Sequence, residues 1–117
     1  MKLNAVDFGE ALPIDSYGPG FFRIGGEVFE GHVIANGAGV TAWAGFSDIE
    51  ALLALQPDID VVFCGMGADV AHMPQAAARA LQEAGLAYEV MATDAACRTY
   101  NVLLSEGRRV AAALITV

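Results

Sequence analysis

The sequence predicts an α/β fold of three layers around a mixed central sheet, with an N-terminal β-meander followed by a βαβαβ run. Three observations carry this. Between Tyr17 and Gly45 the chain consists of short β-type runs separated by glycines, helical spacing begins only after Ser47, and from there apolar runs of strand length alternate with helical patterns. A length of 117 residues with 56% hydrophobic side chains suits a single domain over 1–117 that folds without disulfide or metal staples.

Residues 3–15 have no sustained periodicity and contain Pro13, so 1–15 is expected to be an N-terminal arm with at most a short edge strand, lying across the sheet. The meander is expected over 17–45. Tyr17-Gly18-Pro19-Gly20 is a turn cluster, and 21–24, 27–29 and 32–35 follow as strands punctuated by Gly25, Gly26 and Gly31. Asn36-Gly37-Ala38-Gly39 is a hairpin connection, because Asn and Gly accept the positive φ of tight turns, and 40–44 with Trp43 is the returning strand.

The segment 47–117 opens with Ser47-Asp48-Ile49-Glu50, which has the form of a capping box and predicts a helix over 48–55 with Ile49, Leu52, Leu53 and Leu55 on its apolar side. Pro57-Asp58 ends it. Asp60-Val61-Val62-Phe63-Cys64 is nearly continuous in apolar residues, as a strand covered on both faces must be. Pro74 and Gly85 bracket a second helix over 74–84, and 86–91 is the next strand, parallel to 60–64 through a right-handed crossover. Thr93 or Asp94 caps a third helix that carries Cys97, Tyr100, Leu103 and Leu104 on one side and stops at Gly107, leaving 110–116 as the last strand.

The net charge of −8 is uneven: in residues 91–117, Arg98, Arg108 and Arg109 outnumber Asp94 and Glu106, and the rest of the chain is acidic. Three arginines on an acidic body do not make the broad basic face that nucleic acid or an anionic membrane demands. No apolar run approaches the ~20 residues of a membrane-spanning helix. Two cysteines are too few for a disulfide scaffold, and the absence of a charged-then-apolar leader points to a reducing, cytoplasmic setting.

Ligands of open α/β sheets gather outside the carboxyl ends of parallel strands. Two segments meet there: Gly65-Met66-Gly67 with the loop 68–73, and Met91-Ala92-Thr93-Asp94 leading into the third helix. Glycine amides and the helix start would suit a small anion or a carbonyl. Equally, glycines at a strand end simply permit a tight turn. At 3.6 residues per turn Asp94, Arg98, Asn101 and Ser105 share one face. Arg98 and Asn101 there offer a guanidinium fork and an amide to a carboxylate or a partner's carbonyls, or else Asp94 and Arg98 form a helical i,i+4 ion pair. Cys97 reads first as a small buried hydrophobe and second as a nucleophile whose pKa the helix start and Arg98 would lower. His72 and His32 supply the only imidazoles and complete no triad. Cys64, Cys97 and His72 have no metal-ligand spacing, so neither metal nor cofactor is expected.

Taken together, Tyr17-Gly18-Pro19-Gly20-Phe21 leading to Ile24, Gly31 and Trp43, Gly65-Met66-Gly67, and above all Glu89-Val90-Met91-x-Thr93 with Ala96-Cys97-Arg98-Thr99-Tyr100-Asn101 and Glu106-Gly107-Arg108-Arg109-Val110 resemble a known family. It is the small domain that includes the mitochondrial complex I assembly factor three and the adipogenesis-associated domain protein. The resemblance implies a three-layer α/β fold with one strand of the central sheet antiparallel to the others. It also implies a cleft between the glycine loop and the start of the last helix, onto which Gly65, Gly67, Thr93, Arg98 and Asn101 carry over without an established reaction; Met66, Asp94 and Cys97, from the reading of the residues, complete the candidate site. With no Arg-rich presequence, a bacterial member is expected. Two functions follow as expectations: a non-enzymatic accessory or assembly factor for a membrane respiratory complex, or a small-molecule binding protein or minor enzyme using that cleft. A homodimer through an exposed edge of the meander is compatible with either.

Overall fold

Two sheets and three helices make up the computed structural model, which describes residues 12–69 and 71–117. The greater part of the expected arm, residues 1–11, lies outside the described residues. In chain order the elements are β1 (Ile14–Gly18), β2 (Phe21–Ile24), β3 (Glu27–Glu30), β4 (Val33–Asn36), β5 (Gly39–Ala42), α1 (Ile49–Leu53), a 3-10 turn (Gln56–Asp58), β6 (Val61–Gly65), α2 (Gln75–Ala84), β7 (Ala87–Met91), α3 (Thr93–Ser105) and β8 (Val110–Leu114).

The strands of the first half divide between the two sheets. Strands β1-β2-β3 form a three-stranded antiparallel sheet, whereas the β4–β5 hairpin joins the central five-stranded sheet in the order β5-β4-β8-β6-β7. Burial explains the division. Strand β3 is mostly exposed and suits an edge, but Val33, Ile34 and Ala35 of β4 are all buried, and a strand buried on both faces needs neighbours on both sides. Gly31, at φ +88°, turns the chain between the two sheets. Strand β6 pairs in parallel with β7 and β8, and β4 pairs antiparallel with β8 and β5. Strand β4 alone therefore opposes the rest, as the resemblance implied.

Alternation along the central strands sorts side chains into two cores. Val33, Ala35, Phe63, Val110, Ala112 and Leu114 face α3 and the small sheet, meeting Cys97 and Tyr100 from the helix and Phe22 and Ile24 from β2. Ile34, Val62, Cys64, Ala111 and Ala113 face Leu52 of α1, Leu81 of α2 and Trp43. The result is three layers. The alanine run of β8 has high helix propensity in isolation, yet it lies centrally between two helical layers, where small side chains let both approach the sheet.

Local signals are corrected in three places. The capping box does not form: Asp48 is the N-cap of α1 and makes no side-chain capping bond, and α1 ends at Leu53 before the turn holding Pro57. Its entry is fixed instead by Trp43, whose Nε1–H donates to the Asp48 carbonyl at 3.0 Å. At the hairpin, the Asn36 side chain accepts from the amides of Ala38 and Gly39, so the turn is held by an Asx bond and does not depend on a positive φ at Gly37. Neither Thr93 nor Asp94 caps α3, which starts from Ala92; Thr93 is engaged elsewhere.

Candidate functional site

The carboxyl ends of β6, β7 and β8 converge where α3 begins, and five hydrogen bonds lace them together. Met66 N–H donates to the Met91 carbonyl (2.9 Å), Ile115 N–H to Gly65 (2.9 Å) and Thr93 N–H to Gly67 (2.8 Å). The Thr93 hydroxyl accepts from Gly67 N–H at 2.8 Å and donates to the Ile115 carbonyl at 2.7 Å. Thr93 is wholly buried. Residue 65 must be glycine for lack of room, since a Cβ there would come within 2.9 Å of Thr93 Cα and Oγ1 and 3.0 Å of Leu114 Cδ2. Gly67 stands at φ +105°, a backbone state that side-chain-bearing residues rarely adopt.

The sequence-nominated residues fall into three groups. Gly67 and Thr93 bond to each other and Gly65 packs against Thr93 while its carbonyl accepts from Ile115, with half-buried Met66 packed on the α1/α2 side. Asp94 and Arg98 lie outside on α3, paired at 3.5 Å with Arg98 exposed and Asp94 half-exposed, so the helical ion-pair alternative is realised. Asp94 Oδ1 also accepts from Ala95 N–H at 2.7 Å. Asn101, a turn further on, holds the small sheet to the helix: its Oδ1 accepts from Ile14 N–H (2.8 Å) and its Nδ2 donates to the Ile14 carbonyl (2.9 Å). Its amide does recognise a carbonyl, but that of Ile14 in β1.

Cys97 points inward. Burial pushes its thiol up to about 12, Asp94 adding to the rise and Arg98 opposing it, so the expected lowering is outweighed by loss of solvation. Burial likewise pushes Cys64 up to about 12. Both are free thiols in the core. The Tyr100 hydroxyl is buried without a hydrogen-bond partner among the described residues, which raises its pKa further above the ordinary phenol. His72 is exposed in the loop after β6, whereas both thiols are buried.

The sequence pointed to the polar face of α3 through Arg98 and Asn101, but not to Thr99 and Val102 beside it. Arg98, Thr99, Val102 and Leu103 line a mainly apolar hollow of about 300 Å³ there. Val102 is 56% exposed, more than any other large hydrophobic residue described. The available signal was Val102 itself, an apolar residue off the stripe formed by Cys97, Tyr100 and Leu104. Beyond the helix end, Arg108 and Arg109 border a second hollow of about 310 Å³ with Asn36, Asp58 and Ile59. Arg109 reaches Asp60 at 3.4 Å, and both side chains are exposed.

Comparison with known proteins places these features in context. The model for a protein family of unknown function (DUF498/DUF598) matches residues 14–115. An uncharacterised protein of Rhodobacter capsulatus is 52% identical over 108 residues, 92% of this chain and 87% of that protein. The mouse NADH dehydrogenase [ubiquinone] 1 alpha subcomplex assembly factor 3 is 33% identical over 122 residues, covering 98% of this chain and 66% of that protein, just under two thirds of its length. Among solved structures, one described as an outer membrane protein from Bartonella henselae superposes with a TM-score of 0.82 at 33% identity, over 94% of this chain and 99% of that one. No helix among the described residues is long and apolar enough to cross a membrane.

Proposed function

The chain belongs to the DUF498/DUF598 family of proteins of unknown function, and from that premise we propose that it is a non-enzymatic accessory protein that helps a membrane respiratory complex assemble, by protein–protein contact in the cytoplasm. The observation that carries this reading is the outward side of α3, where exposed Val102 and half-buried Leu103 adjoin Arg98 and Thr99. An apolar hollow rimmed by an exposed cation that, among the described residues, pairs with Asp94 at i,i+4 suits transient docking: Arg98 exchanges Asp94 for a partner's carboxylate or carbonyl at little cost, while Val102 and Leu103 lose water. The assembly-factor name of the mouse relative supports the same role. Arg108 and Arg109 extend the positive ground beyond the helix, against a body of net charge −8. An anion or carbonyl site at Gly65-Met66-Gly67, the other reading, has first to displace the bonds that Gly67 and Thr93 make with each other.

The test is a crosslinked pull-down of the tagged protein from its native host with membranes included, set against Arg98→Glu and Val102→Asp. Both positions are exposed, so circular dichroism should show each variant folded. Enrichment of respiratory-complex subunits by the parent chain and its loss in both variants is the expected result. Equal capture by all three proteins would remove α3 from the interface.

A further inference from the structure

The described fold ends its sheets on four strands, and they are not alike. Strand β1 carries Asp15, β3 carries Glu27 and Glu30, and β7 carries Glu89, charges of the kind that keep an open edge from pairing with another chain. Strand β5, Gly39-Val40-Thr41-Ala42, carries none, and it contains neither proline nor a bulge against β4. It lies in residues 31–47, the longest stretch of the chain without Asp, Glu, Lys or Arg. On a molecule of net charge −8, this is the edge at which another copy meets least local repulsion.

Register decides what the edge offers. The two-residue turn makes Asn36 and Gly39 a bonded pair, so by alternation Ile34 with Thr41 is the next, and the following pair is marked by Trp43 N–H donating to the His32 carbonyl at 3.0 Å. Val40 and Ala42 therefore turn both their N–H and C=O groups away from β4, where no other strand among the described residues pairs with them. Beside them on the α1 side lies a mainly apolar hollow of about 310 Å³, lined by Ile34, Val40, Thr41 and Leu55, because α1 is too short to reach over the end of the sheet.

We propose that β5 is a self-association edge: two copies of this chain pair β5 antiparallel about a two-fold axis at Thr41, extending the central sheet through both. The segment is self-complementary in that register. Val40 stands opposite Ala42 of the second copy and the reverse, forming about four main-chain hydrogen bonds, and the two Thr41 side chains face each other as a non-bonded cross-strand pair. A charged or basic partner strand finds nothing on this edge to select it, whereas an identical strand matches it residue for residue. The inference is independent of the docking role given to α3, on a different element.

Because the paired edges are short and the copies both acidic, association is concentration-dependent and strengthens with salt, which screens repulsion over roughly 10 Å at 0.1 M. Docking through arginines would weaken with salt. Sedimentation velocity should show the 12.2 kDa chain moving toward twice that mass as protein concentration rises from tens to hundreds of micromolar, and at lower concentration when sodium chloride is raised. Thr41→Lys sets two like charges opposite each other and should hold the protein monomeric, with an unchanged circular dichroism spectrum since residue 41 is exposed. Thr41→Cys should crosslink across the axis on mild oxidation, a non-bonded antiparallel pair having Cα atoms about 4.5 Å apart; Ser105→Cys, exposed on α3, should not. A parent chain that stays monomeric at every concentration and salt, or a Thr41→Lys variant that dimerises as the parent does, overturns the proposal.

Discussion

Replacing Thr93 by valine keeps the shape of the side chain and deletes only the hydroxyl that ties three segments together. The structure sets the size of the loss. Gly67 N–H loses its acceptor at 2.8 Å and the Ile115 carbonyl loses its donor at 2.7 Å, beside a side chain that is 0% exposed. Two net hydrogen bonds at about 0.5–1 kcal/mol each, plus ~1–2 kcal/mol for the buried amide of Gly67 left without a partner, predict about 2–4 kcal/mol of destabilisation. Thermal unfolding entropy near 2.1 cal/mol/K per residue gives roughly 0.25 kcal/mol/K for 117 residues, so Tm should fall by about 8–16 °C. Thr93→Ser is the control: it keeps the hydroxyl and loses one buried methyl, about 1 kcal/mol or ~4 °C. Urea and thermal denaturation followed by circular dichroism measure both. If the valine variant is as stable as the serine variant or more so, the hydroxyl does not hold the β6 loop, α3 and the end of β8 together, and the reasoning fails.

Asn101→Leu should free β1 from α3 by removing both bonds to Ile14, lowering stability by about 1–3 kcal/mol and speeding limited proteolysis near residues 12–20 well beyond that global loss. The two thiols should be silent to an aromatic disulfide reagent at pH 8 in the native protein and both should react after denaturation, as expected for groups buried and pushed up to about 12. The sign for stability follows from the same shift. Unfolded thiols titrate near 9.0, so as pH rises the unfolded chain gives up protons that the native chain retains. Stability is therefore full below about pH 9 and falls toward about pH 12, with Tyr100 acting in the same direction, and the urea midpoint should decline over that window.

Much of the fold was written in local patterns. Valine and phenylalanine flanked by Asp60 and Gly65 marked β6 as interior, and Gly85, observed at φ +74°, marked the end of α2. The buried stripe of α3 followed from spacing alone, since Ala96, Cys97 and Tyr100 recur at helical intervals whatever packs on them. The switch from period 2 to period 3.6 after Ser47 fixed the order of strands and helices.

Less local facts were beyond such patterns. Two adjacent hairpins look alike in sequence, and only the pairing of β4 with β8, some eighty residues away, puts β4 and β5 into the central sheet and leaves β1-β2-β3 apart. Thr93 reads as a helix cap because capping is a local bond; its hydroxyl is turned instead by Gly67 and Ile115, partners that exist only once three strand ends meet. Asn101 likewise reads as a free polar group on a helix until β1 arrives beneath it. Composition and periodicity are sums over neighbouring residues and so determine which segments are helix or strand and which faces are apolar. Which polar groups remain available to a partner depends on contacts between segments far apart in the chain, and there the tertiary structure decided: Gly67, Thr93 and Asn101 are engaged within the fold, while Arg98, Val102 and the β5 edge face outward.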